Sequence, residues 1–195
     1  MTDDLIGRYV TVDLARAHLI SPEYCEEQRI LHAAPRGYGG KGDKWAPAVT
    51  DLVKQFNASS VLDYGAGEGN LAVALRPLLP SSVRIAEYDP GVRRIEARPS
   101  FADLVTCTDV LEHVEPAKLD AVLAHLKMLA RKAVFAVIAT RPSNKTLSDG
   151  RNAHLILEQD AWWVERLLAA GFQVSPGPKS PSLKPSREFV AVLKP

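Results

Sequence analysis

Cysteine is nearly absent from this 195-residue chain: only Cys25 and Cys107 occur. They stand far apart and outside Cys-x-x-Cys spacing, which excludes a disulfide framework and a cysteine zinc site and fits a reducing compartment. Long apolar runs are absent too. No stretch approaches the ~18 residues that a membrane span needs. The first residues carry Asp3 and Asp4 where an export signal would carry a basic and then an apolar stretch. The expectation is a soluble, cytoplasmic protein with no membrane partner. Net charge is missing as well: at +1, nothing draws the chain globally to a polyanion. From Arg131 onward ten Lys/Arg face five Asp/Glu, an imbalance small enough for an ordinary solvated surface. What is present, 46% hydrophobic and 24% charged residues, suits one globular domain with a sizeable core.

The stretch Val61-Leu62-Asp63-Tyr64-Gly65-Ala66-Gly67-Glu68-Gly69-Asn70 organises the rest. A short apolar run ends in an acid, and three alternate glycines open a segment in which Leu71, Ala74, Leu75 and Leu78 recur at helical spacing. Strand, tight turn and helix are predicted, with glycines that admit a ligand close to the backbone and a helix N-terminus with unpaired N–H groups. A small, partly anionic ligand is expected there.

Residues 1–19 show no period. Ser21-Pro22 starts a helix reaching Leu31, and the glycine-rich run from Tyr38 to Lys44 reads as a mobile loop. Trp45, Val49, Leu52, Val53 and Phe56 mark one face of a helix. Strands are predicted from Val83 to Tyr88, from Leu104 to Thr108 and from Ala133 to Ala139, the last so apolar that it suits the middle of a parallel sheet. A helix starts at Pro116, a polar loop covers residues 140–152, and Asp160 caps a helix that Gly171 stops. Two strands close the chain, Phe172 to Val174 and Phe189 to Leu193, joined by a proline-rich extended loop. Alternating strands and helices give a doubly wound, mostly parallel α/β sheet, whose ligands bind at the carboxyl ends of the strands. Residues 1–44 are read as an N-terminal helical and lid segment, and residues 45–195 as a single-domain core.

The spacing G-x-G-x-G, with Asn70 where a dinucleotide fingerprint has its third glycine, and an acid two residues before the first glycine, argue against a pyrophosphate. Together, Asp63-x-Gly65-x-Gly67-x-Gly69, Glu87-Tyr88-Asp89-Pro90, and Asp103-Leu104-Val105 followed by Asp109-Val110-Leu111-Glu112-His113-Val114 resemble three motifs of the class I S-adenosylmethionine-dependent methyltransferases over roughly residues 60–172. The resemblance extends to a small bacterial and phage subgroup without an assigned substrate. It implies a Rossmann-like fold, S-adenosyl-L-methionine as cofactor, and methyl transfer.

Carried over by position, Asp63 would support the cofactor's amino group, and Gly65 and Gly67 would let the backbone face its methionine part. Glu87 would accept both ribose hydroxyls and Tyr88 would lie near the adenine. Tyr64, Ala66, Asp109 and Val110 complete the implied cofactor set, while Asp89 is read as a turn residue. Only ten residues separate Pro90 from Phe101, where the family fits a helix and a further strand. That unit is lost or reduced, which implies six strands instead of seven.

His154 and His113 are the candidate catalytic bases, since histidine titrates near neutral pH. His32 and His125 fall on predicted helices and are read as surface residues. Glu112, His113 and His154 could be drawn as metal ligands, as similar residues are in some methyltransferases, but the spacing does not demand it and no metal is expected. Tyr38, Arg141, Lys145 and Arg151 are the candidate substrate contacts, and residues 38–45 the candidate lid. Trp162 and Trp163 are read as packing residues. The adenine-methylating signature Asp/Asn-Pro-Pro-Tyr and a Pro-Cys nucleophile pair are absent, and no added recognition domain is expected. An oxygen or nitrogen of a small-molecule acceptor is therefore favoured over a nucleotide or nucleic acid, and over a non-catalytic cofactor-binding partner protein.

Overall fold

The computed structural model describes residues 18–34, 38–179 and 188–195. Its centre is a six-stranded sheet of order β2-β1-β3-β4-β6-β5. Strands β1 (Ser60–Tyr64), β2 (Arg84–Tyr88), β3 (Ala102–Thr108) and β4 (Ala130–Ala139) pair in parallel. β5 (Gln173–Pro176) and β6 (Glu188–Lys194) join antiparallel. This is the expected doubly wound, Rossmann-like sheet with six strands. Between β2 and β3 stands only the short 3-10 turn Arg93–Ile95, so β2 is the sheet edge and its side chains alternate between exposed and half-buried before Tyr88.

Helix α1 (Pro22–Ala33) begins as predicted, with Ser21 Oγ accepting from Tyr24 N at 3.1 Å and proline in its first turn. The 3-10 turn Gly42–Trp45 runs into α2 (Ala46–Gln55). α3 (Asn70–Leu75) follows the glycine turn and is shorter than the leucine spacing predicts; Leu78 lies beyond it and is exposed. α4 (Leu119–Leu129), reached through a 3-10 turn from Pro116, leads directly into β4. α5 (Asp160–Ala169) takes Gln159 as its cap, so Asp160 is its first residue and not the cap, and the Gln159 side chain makes no capping bond. Gly171, at φ +80°, stops it. β5 starts one residue after Phe172, whose ring is buried in the core. The proline-rich connection lies largely outside the described residues.

Strand β4 shows how one apolar run builds two cores. Val134, Ala136 and Ile138 face Leu123, Leu126 and Trp163 of α4 and α5. Ala133, Phe135 and Val137 face Trp45, Val49 and Leu75 on the other side. The period of two in a strand sends neighbours to opposite faces, so a buried central strand must be apolar throughout. Trp163 is fully buried and Trp162 packs edge-on against it at 5.0 Å, in keeping with a packing role. A third cluster joins Tyr24, Cys25 and Leu31 of α1 to Leu147 and Ala153, which seats α1 over the carboxyl ends of the strands. Among the described residues no helix is long and apolar enough to cross a membrane.

Candidate functional site

The glycine turn after β1 is held by its own chain. Gly65 N and Ala66 N donate to Tyr88 O, Glu68 N to Gly39 O and Gly69 N to Ala66 O. Gly67 N donates to Asp89 Oδ2 at 3.0 Å. Every N–H from Gly65 to Gly69 thus has a protein acceptor, so the glycine turn itself leaves no N–H for an anion. Gly65 sits at φ +78°, and a Cβ on it would run into Val110. Gly67, at φ +53°, would bring a Cβ to 2.5 Å from Gly39 O. Glycine is required at both positions by conformation and by close approach of a second segment.

Asp89 does more than turn the chain. It is buried, and its other oxygen accepts from Gly91 N at 2.8 Å, so one carboxylate ties the turn after β2 to the glycine turn. The only sequence sign of this is an acid followed by Pro-Gly, which reads as a turn by itself.

A cavity of about 680 Å³ opens at the carboxyl ends of β1, β3 and β4, within the size range of small-ligand sites. Asp63, Tyr64, Gly65 and Ala66 form one wall, and Asp109 and Val110 another. Asp63 is buried and accepts a hydrogen bond from Thr106 Oγ1 at 3.0 Å. Burial pushes its carboxyl up to about 7, against the opposing pull of Thr106. Asp109 adopts φ +55°, faces Lys44 Nζ at 3.7 Å, and is likewise raised by burial.

The other end of the cavity holds the histidines. His113 and His154 meet edge to face with ring centroids 4.6 Å apart, and both line the cavity with Tyr38, Arg141 and Lys145. His113 Nδ1 lies 2.7 Å from Ala153 O and 3.0 Å from the Tyr38 hydroxyl. His154 Nδ1 lies 2.6 Å from Arg141 O. A ring nitrogen facing a carbonyl carries the proton, so each Nε2 keeps its lone pair. Burial, reinforced by His154, lowers His113 to about 3, and burial also lowers His154; both imidazoles are neutral near pH 7.

His154 is set in place by a loop that folds on itself. Asn152 Oδ1 accepts from Ser143 N and from His154 N, each at 3.0 Å, and Asn152 Nδ2 donates to Ser143 O.

Other expected residues fall elsewhere. Tyr88 points into the core, where its ring packs against Tyr64 at 5.0 Å and His125 at 6.1 Å, so it does not line the cavity. Glu87 pairs in register with Asp63 across the strands but stands outside the cavity lining, pressed against Gly69 and bonded to Arg94 at 3.3 Å. Gly67 is covered by Gly39. Arg151 turns outward and pairs with Asp149. His125 is no free surface residue, since its Nδ1 meets the Tyr64 hydroxyl at 3.0 Å. His32, also read as a surface residue, lines the cavity 3.9 Å from Asp89, with its ring 4.9 Å from that of Tyr38. Gln28 and Tyr24 of α1 join it; their i, i+4 spacing with His32 is the one sign of this face in the sequence.

Comparison with known proteins agrees with this architecture. An O-methyltransferase family protein from Burkholderia thailandensis superposes with a TM-score of 0.56 at 15% identity, over 78% of this chain and 56% of that one. The chain therefore spans little more than half of that protein's length. The 1,6-didemethyltoxoflavin N1-methyltransferase of the same organism, solved with its acceptor and S-adenosylhomocysteine, gives 0.56 at 19% identity, covering 80% of this chain and 78% of that one. Magnesium protoporphyrin IX methyltransferase from Synechocystis PCC 6803, solved with S-adenosylhomocysteine, gives 0.55 at 16% identity over 78% and 83%. No curated protein matches the chain. The family model for the methyltransferase domain matches residues 38–175, from the segment that covers the glycine turn to β5, and with this class I, Rossmann-like sheet the chain belongs to the methyltransferase domain family.

Proposed function

We propose that this chain transfers a methyl group from S-adenosylmethionine to an oxygen or nitrogen of a small-molecule acceptor. The observation that carries the reading is that one cavity joins the buried carboxylate of Asp63 to the neutral His113–His154 pair. Bound S-adenosylmethionine supplies an electrophilic methyl group on a sulfonium centre. The residues present fit it. The turn's N–H groups are committed to protein acceptors, which suits a ligand whose nearest group is not a phosphate. Asp63, beside that turn, holds a carboxylate for an ammonium group. Tyr64, Gly65 and Ala66 offer backbone to the methionine part, and Asp109 and Val110 close the opposite wall. Glu87 takes the ribose diol once Arg94, half exposed, swings away.

On the acceptor side, displacement at a methyl carbon depends chiefly on holding the attacking atom in line. Tyr38, fixed to His113 by its hydroxyl, shapes that end of the cavity. Arg141 and Lys145 favour an acceptor with a negative group. The Nε2 lone pairs of His113 and His154 are the basic atoms that can hold the acceptor or take its proton. Structural neighbours named for toxoflavin and porphyrin substrates support a small molecule as the acceptor in this fold.

Calorimetric titration with S-adenosylmethionine and S-adenosylhomocysteine tests the reading. Wild type binds both at one site, and Asp63→Ala and Glu87→Ala each weaken binding by ~10-fold or more, about 1.4 kcal/mol. Absence of binding to the wild type overturns it.

A further inference from the structure

Glu112 joins the histidine pair: one donor atom from each of Glu112, His113 and His154 falls within 4.8 Å of the others. We propose that these three side chains bind one divalent transition-metal cation.

Glu112 carries the first argument. It is fully buried, and Oε1 accepts from Ala139 N at 3.0 Å. Oε2 is buried with no hydrogen-bond partner among the described residues. A buried carboxylate oxygen without a donor is costly, and native proteins rarely leave one so.

The histidines cannot satisfy it. Their Nδ1 atoms are committed to Ala153 O and Arg141 O, so the atoms left to converge with Oε2 are two Nε2 lone pairs. Three electron-pair donors meet with no proton donor between them among the described residues, an arrangement that a cation stabilises. Metal-ligating histidines characteristically donate their other ring nitrogen to a backbone carbonyl or carboxylate, and both do so here. The set is also held firmly: Ile156 N donates to Glu112 O at 3.0 Å, His113 follows Glu112 in the chain, and Asn152 fixes His154 N. A cation bound there sits about 2.1 Å from each ligand.

Two imidazoles and one carboxylate suit zinc, manganese, cobalt or ferrous iron better than magnesium or calcium, which prefer all-oxygen sites. Three protein ligands leave coordination positions open, and His113 and His154 line the cavity, so those positions face the acceptor. This deepens the methyl-transfer reading, on which it rests, by narrowing the acceptor to a hydroxyl. With both Nε2 lone pairs on the cation, the histidines hold the metal instead of taking a proton, and a coordinated hydroxyl, its pKa lowered, releases its proton to water. Its oxygen pair then forms the bond to the methyl carbon while the carbon–sulfur pair stays on sulfur.

The test uses tag-free, full-length protein stripped with a chelator and titrated with cobalt(II) chloride, read by visible absorption and calorimetry, with S-adenosylhomocysteine binding followed in parallel. One cobalt ion binds with ligand-field bands, and zinc(II) chloride displaces it. His154→Ala and Glu112→Gln each weaken it at least ~10-fold, while S-adenosylhomocysteine still binds. Should Glu112→Gln not fold, His154→Ala and the wild type decide. No cobalt binding by a wild type that binds S-adenosylhomocysteine means that a proton on Glu112 fills the gap, and overturns the cation site alone. Cobalt binding that His154→Ala leaves unchanged places the metal elsewhere and overturns it too. Loss of S-adenosylhomocysteine binding by the wild type instead defeats the methyl-transfer reading.

Discussion

Asp63 shows how one buried side chain couples stability to ligand. Its proton is held to about pH 7 in the fold, against an ordinary aspartate value of 3.8. An acid with a raised native pKa favours folding fully below its unfolded value, and that advantage is lost as pH rises towards the folded one. The gap of about three pH units corresponds to at most about 4 kcal/mol at 1.36 kcal/mol per unit. Asp63→Asn, which cannot ionise, should therefore raise the melting temperature of the cofactor-free protein at pH 8 and leave it nearly unchanged at pH 4, measured by thermal denaturation. The cofactor's ammonium needs the ionised form, so wild-type affinity for S-adenosylmethionine should fall up to ~10-fold per unit between pH 7 and pH 5.5. A flat calorimetric profile there would remove Asp63 from the ammonium contact.

Gly67 is the other residue that decides the site. Gly67→Ala combines a left-handed φ with a Gly39 backbone oxygen at 2.5 Å, so it should cost more than the roughly 1 kcal/mol of an ordinary αL alanine. S-adenosylhomocysteine affinity should fall with it in the same titration.

At the scale of elements, residues 38–45 form a strap over the glycine turn. Gly39 O accepts from Glu68 N, Asn70 Nδ2 donates to Gly40 O at 2.8 Å, and Lys44 pairs with Glu188 at 3.0 Å and with Asp109. Asn70→Ala removes one neutral hydrogen bond, worth about 1 kcal/mol. If the strap retains the cofactor, stopped-flow release of S-adenosylhomocysteine should quicken about fivefold while the far-UV spectrum stays unchanged. In the sequence Asn70 is legible only as the missing third glycine of a dinucleotide fingerprint; its partner, Gly40, lies 30 residues away. The reduced unit after β2 was readable by counting alone, because ten residues cannot hold both a helix and a strand. Boundaries were less legible. α3 stops at Leu75 although the leucines continue, with Leu78 half exposed and Leu79 buried in the turn beyond it.

For the whole molecule, the sheet separates two apolar cores that share only β-strand backbone. Leu123→Ala on one side and Leu75→Ala on the other should each cost about 2–5 kcal/mol, as both side chains are fully buried. Their effects in urea denaturation should add within about 0.5 kcal/mol, since the two residues belong to different clusters. A coupling well above that would mean the sheet transmits repacking from face to face.

The amino-acid sequence by itself determined the element order, the sheet class, the glycine turn and the acids one residue before the ends of β1 and β2. These are set by local rules: a period of two or 3.6, glycine where φ must be positive, and an apolar run where both faces are covered. Tertiary structure alone decided which neighbours those residues meet. It turned Tyr88 inward while its chain neighbour Glu87 faces Arg94, brought His32 to Asp89, bonded Asp89 to Gly67, and converged Glu112 with a histidine 42 positions later. Periodicity reports how buried a side chain is, whereas its chemistry depends on donors and charges supplied by distant segments, and only the packed chain brings those together.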